Sequence, residues 1–138
     1  MTQEFERRRS YRSGARLTIP FRVMAAGFAV AALYHLAALA IPAFANIAYP
    51  PMYPPLRHVA FVIADVLGAS LFLSRPRWFL WPYLVLTLQV LQGHGVRAWR
   101  TWTLERRINW IDAITVLVVL FGLILLLLDR AQRRRFVR

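Results

Sequence analysis

Two unbroken apolar blocks restrict this chain to very few folds. Residues 23–45 contain one strongly polar side chain, His35, and residues 113–128 contain only Thr115. A helix that crosses a bilayer needs about 20 mostly apolar residues, and about 17 at the short end. A surface helix of a soluble protein would instead carry a polar face between apolar residues spaced three and four apart. Both blocks lack such a face, so each reads as a membrane span. The first is also too long for the apolar core of a signal peptide, and a second apolar segment follows soon after it.

Two shorter segments lie between these blocks. Residues 57–74 are apolar apart from Arg57, His58, Asp65, Ser70 and Ser74, and residues 78–95 apart from Thr87, Gln89, Gln92 and His94. Either alone fits a buried soluble helix. Between two membrane spans, in a chain of 138 residues with 59% hydrophobic content, insertion is the consistent reading. The expected fold is an all-α integral membrane protein, a four-helix transmembrane bundle with short loops. Its spans cover about 20–45, 57–74, 78–95 and 110–129, within a transmembrane domain of residues 19–129.

Charge sets the expected orientation. All 18 basic residues are arginine and the formal net charge is +12, a balance that raises the possibility of nucleic acid as a partner. The distribution argues against it, because the arginines gather at span ends on alternate sides and no recognition motif accompanies them. Thirteen fall in residues 1–22, in the Ser74-Arg75-Pro76-Arg77 link and in the tail from Arg130. Five, namely Arg57, Arg97, Arg100, Arg106 and Arg107, fall on the opposite side. The positive-inside rule then places both termini in the cytoplasm of a multi-pass cell-membrane protein, the inner membrane in a bacterium. Anionic lipid headgroups are the expected partners of the basic segment 1–18 and the basic tail 130–138. The all-arginine usage itself is what a GC-rich genome produces.

Proline and aromatic residues mark the connections. Pro20 suits a helix start and Pro42 a kink or an end. Tyr49-Pro50-Pro51 and Tyr53-Pro54-Pro55 suggest a stiff extended connector, with partner docking as the rarer use of such a doublet. Trp78, Trp81 and Tyr83 read as an interfacial belt, and Trp110 as an anchor for the last span. Gly93-His94-Gly95 reads as the end of the third span. Residues 96–107 then suggest a short helix lying in the outer interface, with Val96, Trp99 and Trp102 on its apolar side.

The polar residues inside the spans carry the functional information. With the orientation above, the histidines, both membrane aspartates and both glutamines fall between the bilayer centre and the outer face. Charged groups at that depth are costly and normally face the bundle or a cavity. His35, Asp65, Gln89, Gln92 and His94 therefore form the candidate ligand-binding pocket. Small residues around His35, and the stripes His58–Asp65–Gly68, Gln89–Gln92–Gly93 and Asp112–Thr115–Val119–Gly122, predict inward orientation. Asp112 and His94 also lie close enough to the outer surface for water to solvate them. Structural hydrogen bonding between helices explains the same residues.

Specific chemistries find little support. The chain has no cysteine, which excludes disulfides, thiolate metal sites and cysteine nucleophiles. Counted along ideal spans, His35 lies several ångströms deeper than His58 or His94, a poor match for bis-histidine haem. No metal-ligand spacing is present, no serine sits in a nucleophile elbow, and no cofactor or catalytic residue is specified. The leading expectation is a non-catalytic subunit or helper of a larger membrane assembly, with other membrane proteins or further copies of itself as partners. The alternatives are a small membrane enzyme or redox or ligand-binding protein using the outer-leaflet pocket, and an oligomeric transporter. No inverted repeat supports the last.

Overall fold

The computed structural model describes the backbone of residues 2–41 and 55–135, and the side chains of 17–41 and 55–134. Among these residues the chain is helical with no strand. Helix α1 runs Thr2–Ala40, α2 Pro55–Ser74, α3 Leu80–Val90, α4 Val96–Glu105 and α5 Trp110–Arg135, with a π-helical turn, Leu91–Gly95, between α3 and α4. Among the described residues three stretches are long and apolar enough to cross a membrane: Leu17–Ala40, Pro55–Ser74 and Trp110–Arg134. The chain divides into two compact units, Phe21–Arg75 and the remainder.

Several boundaries differ from the sequence expectation. The segment before residue 18 is helical, and α1 passes through Pro20 instead of starting there. The first span ends at Ala40, short of 45. Pro42 and most of the Tyr-Pro-Pro doublet fall in 42–54, outside the described residues. Pro55 opens α2, where its missing amide costs no hydrogen bond. Gly93-His94-Gly95 does not end a helix. It forms the π turn, and the helical backbone continues into α4. Each glycine costs a helix only about 1 kcal/mol, too little to stop one whose flanks are apolar.

In the unit Phe21–Arg75, α1 and α2 pair antiparallel. Phe21 and Phe28 both meet Phe72, with ring centroids 5.9 and 5.4 Å apart. Phe72 is fully buried. Gly68 makes room for the Phe28 ring: a Cβ built there would sit 2.7 Å from Cδ1 of Phe28. Helix α2 ends at Ser74, with Arg75 in the left-handed region at φ 51° and its guanidinium 5.2 Å from the Phe21 ring centre.

In the other unit, α3 packs against α5. Tyr83, 1% exposed, donates its hydroxyl to the Val119 carbonyl at 3.1 Å. It is therefore a core residue, whereas Trp78 and Trp81 remain exposed. A phenol surrounded by apolar side chains needs a hydrogen-bond partner, and α5 supplies one from its backbone. Phe79, Leu80, Val119, Leu125 and Leu126 complete this core.

Candidate functional site

The sequence-predicted pocket residues divide between the two units: His35 and Asp65 lie in one, and Gln89, Gln92 and His94 in the other. Each unit builds its own polar cluster.

The first cluster forms where α1 and α2 meet. His58, Phe61 and Asp65 stand three and four residues apart, so they share one face of α2. His35 of α1 stacks on Phe61, with centroids 4.9 Å apart and planes at 20°. Its Nδ1 lies 3.0 Å from Nδ1 of His58, which is buried. Its Nε2 lies 4.0 Å from Oδ2 of Asp65, too far for a hydrogen bond. Two facing nitrogens at 3.0 Å must take opposite roles, one donating and one accepting. Giving His35 its proton on Nε2 lets its Nδ1 accept from His58 and turns its only N–H toward Asp65. Oδ2 of Asp65 is buried and has no hydrogen-bond partner.

This geometry corrects the expected depth mismatch between His35 and His58. The mismatch assumed a first span reaching residue 45. Because α1 ends at Ala40 and α2 begins at Pro55, His35 and His58 each stand a few residues from the same end of the helix pair. Metal–nitrogen bonds of about 2.0–2.1 Å meeting at the tetrahedral angle would put two imidazole nitrogens about 3.3 Å apart; the 3.0 Å between His35 and His58 is the length of a direct hydrogen bond. Among the described residues no group of three His, Cys, Asp or Glu is arranged to hold a metal ion.

The second cluster gathers on Asp112, which is 3% exposed in the first turn of α5. Its Oδ1 lies 2.6 Å from Nδ1 of His94 and 3.3 Å from Nη2 of Arg97. Nδ2 of Asn109 donates to Oδ2 at 2.8 Å, while the Asp112 backbone N–H donates to Oδ1 of Asn109 at 3.3 Å. Asn109 is thus the cap of α5, with a reciprocal bond to the residue three positions on, a variant of the capping box. His94 Nδ1 and Arg97 Nη2 are also 3.2 Å apart. Both nitrogens can donate to the same carboxylate oxygen, so their proximity follows from the shared acceptor.

Asp112 and His94 are therefore held by partners instead of being simply solvated. The π turn brings His94 to Asp112, and Arg97 follows on the first turn of α4. Asn109-x-x-Asp112 is the sequence signal for this cluster, and Asn109 was not singled out from the sequence.

Gln89 and Gln92 do not join either cluster. Both are exposed, Gln89 at the end of α3 and Gln92 in the π turn, as is Gly93 in the same turn. A Cβ built on Gly93 would meet nothing within 4 Å. The predicted stripe is real, but it faces outward from its unit.

No protein-family model matches the chain, and neither a curated protein nor a solved structure does. Any functional reading therefore rests on these side chains alone.

Proposed function

We propose that the chain is a four-span membrane protein acting as a non-catalytic subunit or helper of a larger membrane assembly. The observation that carries this reading is the exposed Gln89–Gln92–Gly93 face. Residues 80–105 form one helical path, roughly 39 Å long at 1.5 Å per residue, and its apolar part, 80–96, covers roughly 25 Å. That is enough for a short span, with Gln89 near its middle. An amide facing hydrocarbon without a partner costs several kcal/mol. A transmembrane helix of another chain would satisfy both glutamines, and Gly93 leaves it room to approach closely.

The test is the double variant Gln89→Leu/Gln92→Leu. The expected result is a protein that still inserts and melts normally in detergent but leaves its assembly, read as a smaller particle by size-exclusion chromatography with light scattering. Two differently tagged copies of the chain would show whether the partner is a second copy. An unchanged particle size with both glutamines replaced would end this reading.

A second reading is favoured by the His58–His35–Asp65 line. A buried carboxylate oxygen facing an imidazole can take up a proton or a ligand's hydrogen bond. Asp65→Asn keeps the size and removes the titratable group. Under the structural reading this variant keeps both thermal stability and activity in a complementation assay. Loss of complementation at unchanged stability would instead make the cluster the functional centre.

A further inference from the structure

At the end of the α3–α5 pair opposite the Asp112 cluster lies a cavity of about 530 Å³. Four guanidinium groups line it, those of Arg77, Arg130, Arg133 and Arg134, together with one carboxylate, Asp129. Leu80 and Leu126, both buried, form its apolar floor. Arg133 is engaged by Asp129 at 2.7 Å. Arg130 lies 5.3 Å from the centre of the exposed Trp81 ring. Among the described residues no carboxylate pairs with Arg77, Arg130 or Arg134. The cavity thus holds a formal excess of three positive charges over an apolar base.

We propose that this cavity binds the phosphate of an anionic lipid headgroup. Like charges gathered around a concave space repel one another, and an anion between them relieves that repulsion. Guanidinium groups match phosphate oxygens with paired, parallel N–H donors. The arginines come from two places in the sequence, the link before α3 and the last turns of α5, so they converge only in the folded pair. The lipid source, as opposed to free phosphate, follows from position. The cavity lies at the end of a helix apolar enough to span a bilayer, where headgroups sit. Its leucine floor and Trp81 suit the upper part of an acyl chain and the headgroup zone. This rests on α5 crossing the membrane, which extraction of membranes at alkaline pH tests independently: a spanning protein stays with the lipid.

The experiment uses the full chain in nanodiscs and in detergent. Binding of a fluorescent phosphatidylglycerol is compared with that of a phosphatidylcholine, for wild type, Arg77→Gln/Arg134→Gln, and the control Arg100→Gln/Arg106→Gln. The control removes the same charge from exposed positions outside the cavity. The expected result is a preference for phosphatidylglycerol that falls roughly thirtyfold in the cavity variant, from about tenfold per 1.4 kcal/mol and about 1 kcal/mol per arginine. The control should bind within about twofold of wild type. Arg77→Lys/Arg134→Lys keeps the charge and loses the paired donors, so it too should bind more weakly. Equal weakening in the control, or wild-type binding by the lysine variant, would reduce the effect to surface charge and overturn the site. Displacement of the lipid by equimolar inorganic phosphate would show a site for a soluble anion and overturn the lipid assignment.

Discussion

The buried Asp112 carboxylate has three donors around it, an imidazole, a guanidinium and the side-chain amide of Asn109, while its own backbone amide donates to Asn109. Removing it strands His94 and Arg97 together. Breaking a buried ion pair from one side typically costs about 3–5 kcal/mol. Here the partners' side chains remain 29% and 31% exposed, so solvent screens part of the loss. We expect Asp112→Ala to lower stability by about 2–3 kcal/mol, measured by thermal melting in detergent. Asp112→Asn keeps the bonds to Asn109 and should cost less than half as much. Equal losses would mean that the charge carries the stabilisation and the bonds to Asn109 add little. Asp65 is the contrasting case, since its buried oxygen has no hydrogen bond to lose.

At the scale of elements, the contact of α1 with α2 depends on the absence of one side chain. An added methyl at Gly68 would overlap the Phe28 ring, which is itself buried against Phe72. Alanine gains about 1 kcal/mol over glycine in a helix, and overpacking costs about 1–3 kcal/mol. Gly68→Ala is therefore expected to be net destabilising, whereas Gly93→Ala, with open space around it, should stabilise the isolated chain. A melting comparison checks both signs together. The α2 stripe was legible in the sequence, because His58, Asp65 and Gly68 recur at helical spacing, whereas Phe28, the residue that meets Gly68, was not singled out. The third stripe was legible as a stripe but not in its direction: Gln89, Gln92 and Gly93 have the composition of an inward face, and composition does not say which molecule the face meets. Pairing of His35 with His58 was hidden by a five-residue error at the end of the first span. The π turn was hidden altogether, since glycines on either side of a histidine look like a stop.

For the whole molecule, the number of crossings decides which side each loop faces. Three stretches qualify by length and composition, and residues 80–105 supply a fourth only if the π turn lies within a span. The two counts put the last helix in opposite orientations. With four crossings, reporter fusions at residues 76 and 138 should be cytoplasmic and a fusion at 103 external. With three, the fusion at 103 becomes cytoplasmic and that at 138 external. The arginine distribution favours the first pattern, because the thirteen-to-five division holds only when both termini share a side.

The π turn also makes chain length a variable in its own right. An i-to-i+5 turn is an α turn carrying one surplus residue. Deleting any single residue from Leu91–Gly95 would therefore leave a continuous helix, where the same deletion elsewhere would throw a packed face out of register. Tyr83 would keep its bond to Val119, since both lie outside the π turn, while His94, carried to Asp112 by that turn, would lose its place. Lineages that gained or lost that residue would share one scaffold and differ in whether the polar lock on Asp112 can close.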